Sequence, residues 1–278
     1  MPTITRQGPK QTRAVQNGAS LWDSIQPVDK LPITGLKVLL FGLSGTGKST
    51  MACTFPKPLL FIRPEQVEDG SLSIRTVAGV DAPPQLMTPN DLDDLCVKQA
   101  ETGRYKTLVL DGVTKFQDIV LKKVLGLQDT PAQLSFGIAD QQMWGIVSNE
   151  FKEHVRLLRL TGTGCNVIVV GGERLIEGSG AIKEPKVMVA LQPATTGWLH
   201  EVCDYCIHTF VRRGFRETVT KVAGKDVKQR EPAGIEFCSH VDNHDLYMTK
   251  FRKPKHVKLP EVEVDLDYAK VVKFIQGK

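Results

Sequence analysis

Short apolar runs alternate with segments of helical periodicity between residues 37 and 170. Four runs are continuously apolar, which is typical of strands buried on both faces. They are Lys37–Phe41, Pro58–Ile62, Thr107–Leu110 and Asn166–Val170. The segments 48–54, 90–102, 114–126 and 140–161 fit helices between and after these strands. Strands that alternate with helices predict an α/β fold with a mostly parallel central sheet and right-handed crossovers.

The pattern changes after Val170. Residues 171–197 are rich in glycine and contain two prolines, which predicts a long loop with at most a short hairpin. A strand is expected over Cys203–Val211 and a polar hairpin over 216–228. Antiparallel closing strands are expected over 235–238 and 245–251, and a short amphipathic helix over 268–275.

Composition and charge add little until they are placed along the chain. The 278 residues include 36 Lys and Arg against 31 Asp and Glu, a net charge of +5, and 41% hydrophobic residues exclude a wholly disordered protein. We expect a flexible basic N-terminal tail and lead-in (1–35), one α/β core (36–258) and an acidic C-terminal tail with a short helix (259–278). The net charge alone does not establish a nucleic-acid partner.

The sequence also bears on the compartment. No stretch approaches 18 consecutive apolar residues, which argues against a transmembrane helix, and residues 1–20 lack the apolar core of a secretion signal. We therefore expect no membrane partner and a cytoplasmic location, where the six cysteines stay reduced.

The segment after the first strand fits the pattern G-x-x-x-x-G-K-[ST] and leads into a predicted helix. In that context backbone N–H groups and the helix N-terminus converge on phosphate groups, so ATP binding is predicted. Lys48 is expected near the β- and γ-phosphates, and the Ser49 hydroxyl on Mg²⁺. The nucleotide-binding segment comprises Gly42, Leu43, Ser44, Gly45, Thr46, Gly47, Lys48, Ser49 and Thr50.

Two acids that follow other strands are candidates for the rest of this site. Asp111 ends the strand 107–110, where a carboxylate can reach Mg²⁺; the alternative is a turn or helix-capping residue ahead of Gly112. Glu65 follows the strand 58–62 and is a candidate to align the attacking water. The alternatives for Glu65 are an exposed loop acid or replacement in this role by Glu68.

Taken in order, these motifs resemble the RecA-like P-loop ATPase core over roughly residues 36–256. Residues 61–65 are similar to the segment that carries the catalytic glutamate of that family, and 108–113 to its magnesium-binding strand. Residues 136–145 and 176–197 occupy the places of its two DNA-binding loops. The subgroup that the chain most resembles is the phage-encoded single-strand annealing proteins of the Sak type, on the phosphate loop followed by Phe-Pro-Lys-Pro at 55–58.

The resemblance implies ATP hydrolysis with Mg²⁺, binding of single-stranded DNA, and annealing or strand exchange by a homo-oligomeric ring or filament. It implies a single-stranded DNA-binding protein as a further partner. Residues 247–252 are similar to the segment whose two cations, here Lys250 and Arg252, reach the γ-phosphate of a neighbouring subunit. The family's polar sensor residue is replaced here by the carboxylate of Glu173, which puts ATP-coupled switching in doubt.

Several side chains are candidates for contact with single-stranded DNA. Phe136 and Trp144 could stack on bases, although a core or interface position is the alternative for Trp144. A basic groove is expected from Lys183, Lys186, Arg212 and Arg213, together with the basic tail and the 212–230 hairpin. The cations of 250–258 have a simpler alternative, a solvated strand end.

A histidine and cysteine cluster and two other functions are the alternatives to these interpretations. His200, Cys203, Cys206 and His208 have a spacing close to that of a metal site, but strand alternation would place the two cysteines on opposite faces, which favours buried thiols. A P-loop small-molecule or nucleoside kinase would need an arginine-bearing lid, and the loop 176–197 has no arginine. A DNA-annealing module that uses ATP only as a structural or assembly ligand remains the other alternative.

Overall fold

The computed structural model describes residues 35–64, 70–127, 141–177, 184–222 and 225–277, together with the single positions 27 and 33. For residues 215–233 the description covers the backbone. The strands are β1 (Lys37–Gly42), β2 (Leu59–Ile62), β3 (Val80–Asp81), β4 (Thr107–Asp111), β5 (Asn166–Gly171), β6 (Glu173–Ile176), β7 (Lys186–Val189), β8 (Tyr205–Val222), β9 (Lys225–His240), β10 (Lys250–Phe251) and β11 (Glu263–Val264).

The α-helices are α1 (Lys48–Ala52), α2 (Pro89–Thr102), α3 (Val113–Leu125), α4 (Gln141–His154), α5 (Pro193–Val202) and α6 (Tyr268–Gln276). Two 3₁₀-helices span Gly70–Ile74 and Arg156–Thr163. The predicted helix over 140–161 is therefore two elements, because α4 ends at His154 and the chain tightens into a 3₁₀-helix.

The main sheet has the strand order β11-β9-β8-β1-β5-β4-β2-β3 over the described residues, and β10 pairs with β8. β1, β2, β3, β4, β5 and β8 run parallel, while β9, β10 and β11 pair antiparallel. The four strands predicted from continuous apolar runs are almost wholly buried. The α/β prediction, with a mostly parallel sheet and antiparallel closing strands, is confirmed.

One face of the sheet packs on helices α3, α4 and α5. Side chains at alternate strand positions, such as Leu39 and Phe41, join one apolar cluster with Phe116 of α3 and Phe151 of α4. The two phenyl rings lie 5.9 Å apart. This packing fixes the central strands rigidly, so the loops that leave their carboxyl ends start from defined positions.

Register brings the carboxyl ends of the central strands together. Gly42 pairs with Thr209, Phe41 pairs with Gly171 and with His208, and Asp111 pairs with Val170. Ligands of open parallel sheets bind at this edge. The fold therefore places the loop after β1 beside the end of β4 and beside Thr209, near the start of β8.

β8 and β9 form a long hairpin that passes the end of β1. β1 pairs with β8 only as far as Thr209, whereas the hairpin remains paired from His208–His240 to Val222–Lys225. Thirteen further residues of β8 correspond to an arm of about 40 Å beyond the sheet edge. The predicted hairpin is confirmed and is longer than the sequence suggested.

The glycine-rich segment is more ordered than its composition predicted. β6 and β7 form a two-stranded antiparallel sheet, as expected for a short hairpin, but α5 occupies Pro193–Val202, where a loop was expected. This part of the prediction is wrong. Pro193 stands in the first helical turn, where its missing N–H has no cost, and Thr195, Thr196 and Leu199 are buried against the core.

The strand that follows begins later than predicted. Cys203 is the C-terminal cap of α5 and β8 begins at Tyr205, so the alternation assumed for Cys203 and Cys206 does not apply. Both cysteines belong to the same apolar cluster and are free thiols. Burial raises the pKa of Cys206 to about 12 and that of Cys203 well above its usual value, so both sulfurs stay protonated.

The predicted strand over 245–251 is also shorter than expected, since only Lys250–Phe251 pairs as β10. The predicted amphipathic helix over 268–275 is confirmed as α6. Its Tyr268 ring lies 5.0 Å from that of Phe55, and the side chain of Asp267 caps its first turn. Among the described helices none combines the length and the apolar character that a bilayer crossing requires.

Candidate functional site

The loop Gly42–Thr50 closes tightly between β1 and α1. The N–H of Met51 donates to the carbonyl of Gly47 at 2.9 Å, which begins the helix directly after the loop. Gly42 and Gly47 have φ angles of 155° and 81°, which are accessible to glycine. A Cβ on Gly42 would lie 2.2 Å from the carbonyl oxygen of Thr209, so the loop can approach β8 only without a side chain there.

Two buried threonines fasten the loop to β8. The Thr46 hydroxyl donates to the carbonyl of Leu43 at 2.9 Å, and the hydroxyls of Thr46 and Thr209 lie 2.7 Å apart. Both threonines are almost fully buried, so these hydrogen bonds satisfy groups that water does not reach. The loop is therefore preorganised by contacts outside its own sequence motif.

Lys48 covers the loop with its ammonium group. The Nζ atom donates to the carbonyl oxygens of Gly42 at 2.9 Å and Leu43 at 2.5 Å. These contacts hold a cation over the loop, within a cleft of about 720 Å³ that is also lined by Asp111, Gly171 and Lys115. A cation and a row of loop amides at a helix N-terminus form an anion site, which suits the phosphates of a nucleotide.

Ser49 and Asp111 meet at the far side of this cleft. The Ser49 hydroxyl donates to Oδ2 of Asp111 at 2.7 Å, across 62 residues of sequence. Asp111 is only 9% exposed at the end of β4. Burial raises its pKa, and the hydrogen bond from Ser49 together with the charges of Lys48 and Arg63 opposes that rise.

A hydroxyl and a carboxylate in contact make an oxygen donor pair of the kind that Mg²⁺ prefers. The sequence predicted these two residues as metal ligands, and the structure brings them together. Both belong to rigid starting points, the first turn of α1 and the end of a buried strand. The residues present therefore fit a magnesium ion held beside the phosphate loop.

Three of the predicted site residues, Glu65, Phe136 and Lys183, lie outside the described residues. β2 ends at Ile62, which pairs with Leu110, one position before Asp111. The chain that continues from β2 thus leaves the sheet at the same edge as the metal candidate. The assignment of Glu65 stays a prediction.

Lys250 and Arg252 lie near the start of β8, toward the amino end of β1, whereas the phosphate loop leaves the carboxyl end of β1. Lys250 pairs with Cys206, and its Nζ donates to the carbonyls of His200 at 2.6 Å and Glu201 at 3.1 Å. The guanidinium of Arg252 lies 2.7 Å from Asp204 while its side chain is 64% exposed. Both cations are thus held by groups at the end of α5, and their role at a neighbouring subunit stays a prediction.

The remaining candidates for DNA contact are dispersed. Trp144 of α4 is half-buried and packs on the apolar cluster, which agrees with the core alternative for this residue. Lys186 begins β7 and its ammonium group donates to the carbonyl of Asp245. Arg212 and Arg213 are exposed on β8, and Arg212 forms a 2.8 Å ion pair with Glu236 of β9.

A histidine and aromatic cluster borders the site, and most of its members were not identified from the sequence. His208 of β8 stacks on Tyr247 with ring centroids 3.8 Å apart and on His240 at 5.5 Å. Its Nε2 atom lies 2.7 Å from a carboxylate oxygen of Glu173, the residue at the sensor position. Burial, followed by the charges of His240, His244 and Lys48, lowers the pKa of His208 to about 3, so the neutral ring donates its N–H to Glu173.

The sequence singled out His208 and Glu173 separately, but no pattern in it placed the two side by side. The partners come from β6, β9 and the turn after β9, and their meeting depends on register. Burial raises the pKa of Glu173, and the charge of Lys48 opposes the rise. The cluster therefore connects the phosphate loop electrostatically with the base of the long hairpin.

The fold and site together define a P-loop ATPase-like domain: a mostly parallel sheet, a phosphate loop after β1 and a carboxylate at the end of β4. A family model described as AAA domain matches residues 34–250, and the chain belongs to this family. Domains of this family are generally nucleotide-binding ATPases. No curated protein matches the chain significantly.

Proposed function

We propose that the protein hydrolyses ATP with the help of Mg²⁺. The observation that carries the proposal is the 2.7 Å hydrogen bond between Ser49 and Asp111 at the rim of the phosphate cleft. A hydroxyl from the phosphate loop and a buried carboxylate from a second strand are the two oxygen ligands from which such a site takes its metal.

The chain's own residues would divide the work in the following way. The loop amides and Lys48 hold and neutralise the β- and γ-phosphates, and Ser49 and Asp111 hold Mg²⁺, which when bound screens the charge that develops on the phosphoryl oxygens. Glu65 aligns the attacking water. Lys250 and Arg252 of a neighbouring subunit reach the γ-phosphate and complete the site.

An Asp111→Asn protein tests the metal ligand. The amide keeps the size of the carboxylate and one hydrogen-bond acceptor for Ser49, but it lacks the negative charge. We expect ATP turnover to fall at least about tenfold at every Mg²⁺ concentration, measured as phosphate release. Asp94→Asn on the exposed side of α2 is the matched control and should keep full turnover. Wild-type turnover in Asp111→Asn would overturn the proposal.

A second activity, binding of single-stranded DNA for annealing or strand exchange in phage-type recombination, is supported by the hairpin. The β8–β9 arm continues past the sheet edge, and Arg213 is exposed near its base. Seven cations between 212 and 230 stand in this arm (Arg212, Arg213, Arg216, Lys221, Lys225, Lys228 and Arg230). Cations along an extended element suit the phosphate backbone of a single strand.

Fluorescence anisotropy with labelled single-stranded DNA at several salt concentrations tests this activity. We expect binding that weakens with salt, and an Arg213→Ala protein that binds less tightly with a shallower salt dependence. Arg104→Ala, which removes an exposed arginine paired with Asp81, is the matched control. Salt-independent binding, or no binding with or without ATP, would exclude the recombination role.

ATP turnover with and without single-stranded DNA separates hydrolysis from a purely structural use of ATP. Turnover that rises with DNA supports a DNA-linked ATPase in a homo-oligomeric ring or filament. Binding of ATP without turnover would favour an annealing module in which ATP serves assembly. Phosphate transfer to a nucleoside would favour the kinase alternative. A single-stranded DNA-binding protein is the further partner that we propose for the annealing reaction.

A further inference from the structure

A second cleft of about 320 Å³ adjoins the phosphate cleft on the side of the long hairpin. Its walls are α1, the end of β9 and the segment 265–267 that leads into α6. The two clefts share Thr46, Gly47, Thr50 and Phe237, so they form one continuous depression. A ligand whose phosphates lie on the loop can thus extend a further group into the second cleft.

Phe237 stands at the junction of the two clefts. Its side chain is 44% exposed, although it is a large aromatic residue. The ring lies against the phosphate loop, since a Cβ on Gly47 would come within 3.0 Å of its Cδ1 atom. A partly exposed aromatic ring beside a phosphate site offers a surface on which a nucleotide base can stack.

The backbone around Phe237 is held from both sides. Val211 of β8 pairs with Phe237, and the N–H of Asp265 donates to the carbonyl of Phe237 at 2.8 Å. β11 pairs Val264 with Cys238 next to it. The aromatic ring is therefore presented by a fixed strand rather than by a loose loop, as preorganised binding requires.

The opposite wall supplies hydrogen-bonding groups. Asp265 is exposed at the rim and has a left-handed backbone with a φ of 48°, an unusual conformation for a residue other than glycine. Ser239 lines the same cleft. A carboxylate at this wall accepts hydrogen bonds from sugar hydroxyls and repels phosphates, which agrees with phosphates at the Lys48 end and a nucleoside at the Asp265 end.

We infer that this second cleft is the nucleoside subsite of the ATPase, in which the base stacks on Phe237 and the sugar hydroxyls donate to Asp265. The inference rests on the proposed function, because it needs the triphosphate on the loop. It makes the acidic C-terminal segment part of the nucleotide site, since α1 and β9 form only two walls of the cleft.

Calorimetric titration with two probes, ATP and inorganic triphosphate, tests the subsite. We expect wild-type protein to bind ATP more tightly than triphosphate, and Phe237→Ala to bind ATP about tenfold more weakly with unchanged affinity for triphosphate. Phe237→Tyr should restore the affinity for ATP. Ile235→Ala, which removes a 70% exposed apolar side chain two residues away on the same strand, is the matched control.

A separate titration tests the contact between the sugar and Asp265. Asp265→Asn should weaken ATP binding and bring the affinity for ATP close to the affinity for 2′,3′-dideoxy-ATP. The same substitution should leave triphosphate binding unchanged. Equal affinity of wild-type protein for ATP and triphosphate, or full ATP affinity in Phe237→Ala, would overturn the subsite while the phosphate site stands. Failure of both probes to bind would instead overturn the proposed function.

Discussion

His208 and Glu173 meet across β1, with Nε2 of the imidazole 2.7 Å from a carboxylate oxygen. His208 is carried by β8 and Glu173 begins β6 directly after β5, and β8 and β5 are the two neighbours of the strand that bears the phosphate loop. Both side chains are substantially buried, and the charge of Lys48 acts on both. An acid at the sensor position is thus satisfied by a neutral histidine rather than left facing the phosphates alone.

Removal of the histidine should therefore destabilise the fold. In His208→Ala the Glu173 carboxylate loses its donor, and an unsatisfied, partly buried acceptor costs about 1–3 kcal/mol of unfolding free energy. Urea denaturation followed by circular dichroism measures the change. His256→Ala, at an exposed position outside the cluster, is the control and should lie within about 0.5 kcal/mol of wild type. An equal effect of both substitutions would show that the pair contributes nothing specific.

The same histidine predicts a loss of stability in mild acid. Its pKa is about 3 in the folded protein because of burial, whereas the unfolded chain takes up the proton near pH 6.5. Stability is therefore fully present above pH 6.5 and falls as the pH drops below it. His240 and His200, whose pKa values burial also lowers, act in the same direction, and Glu173 acts in the opposite direction because its pKa is raised.

Unfolding free energies measured between pH 7 and pH 5 test this dependence. We expect a clear decline in the wild-type protein and a smaller decline in His208→Gln, which keeps an N–H donor for Glu173 but does not titrate. The range ends at pH 5 so that titration of the unfolded carboxyl groups contributes little. Identical slopes for the two proteins would show that His208 is not the group responsible.

Two glycines of the phosphate loop should differ in their tolerance of alanine. Gly42→Ala places a Cβ 2.2 Å from a backbone oxygen of Thr209, and backbone cannot move aside cheaply, so we expect a loss of about 3 kcal/mol or more and no ATP binding. A Cβ on Gly45 would meet no atom within 4 Å. Gly45→Ala should therefore lose only about 1 kcal/mol of unfolding free energy, from the backbone strain of a φ of 77°. Urea unfolding and ATP titration measure both, and equal losses would contradict the steric argument.

The sequence was sufficient for the parts of this fold that depend on local pattern. Continuous apolar runs predict the buried strands, and the spacing from Gly42 to Ser49 predicts the phosphate loop. Both predictions succeed because each feature lies within one short segment. Asp111 could be singled out because strand ends of a parallel sheet share an edge. These inferences need no knowledge of which strands are neighbours.

What the sequence missed depends on contacts between distant segments. α5 forms despite Gly197 because buried threonines and Leu199 pack on the core, and tertiary packing outweighs a weak local propensity. The contact of Phe237 with Gly47 depends on the register of β9, which a single chain does not reveal. The same holds for the His208–Glu173 pair.

Mixing of two inactive proteins tests whether Arg252 acts on a neighbouring subunit. Arg252 lies toward the amino end of β1, whereas the phosphate loop leaves its carboxyl end, and the Arg252 side chain in the ion pair with Asp204 is 64% exposed, so Arg252→Ala should cost at most about 1 kcal/mol of stability. Its ATP turnover should nevertheless fall strongly, as for Asp111→Asn. In a ring or filament with shared sites, the Arg252→Ala protein supplies an intact Asp111 and the Asp111→Asn protein supplies an intact arginine.

An equimolar mixture of Arg252→Ala and Asp111→Asn should therefore regain about a quarter of wild-type turnover. Half of the sites have an intact Asp111, and half of those face an intact arginine if subunits of a heterologous assembly mix at random. Phosphate release before and after subunit exchange measures the recovery. Asp111→Asn mixed with Lys48→Ala contains no site with both Lys48 and Asp111 intact and is the inactive control. No recovery in the first mixture, with subunit exchange demonstrated, would exclude a trans-acting Arg252.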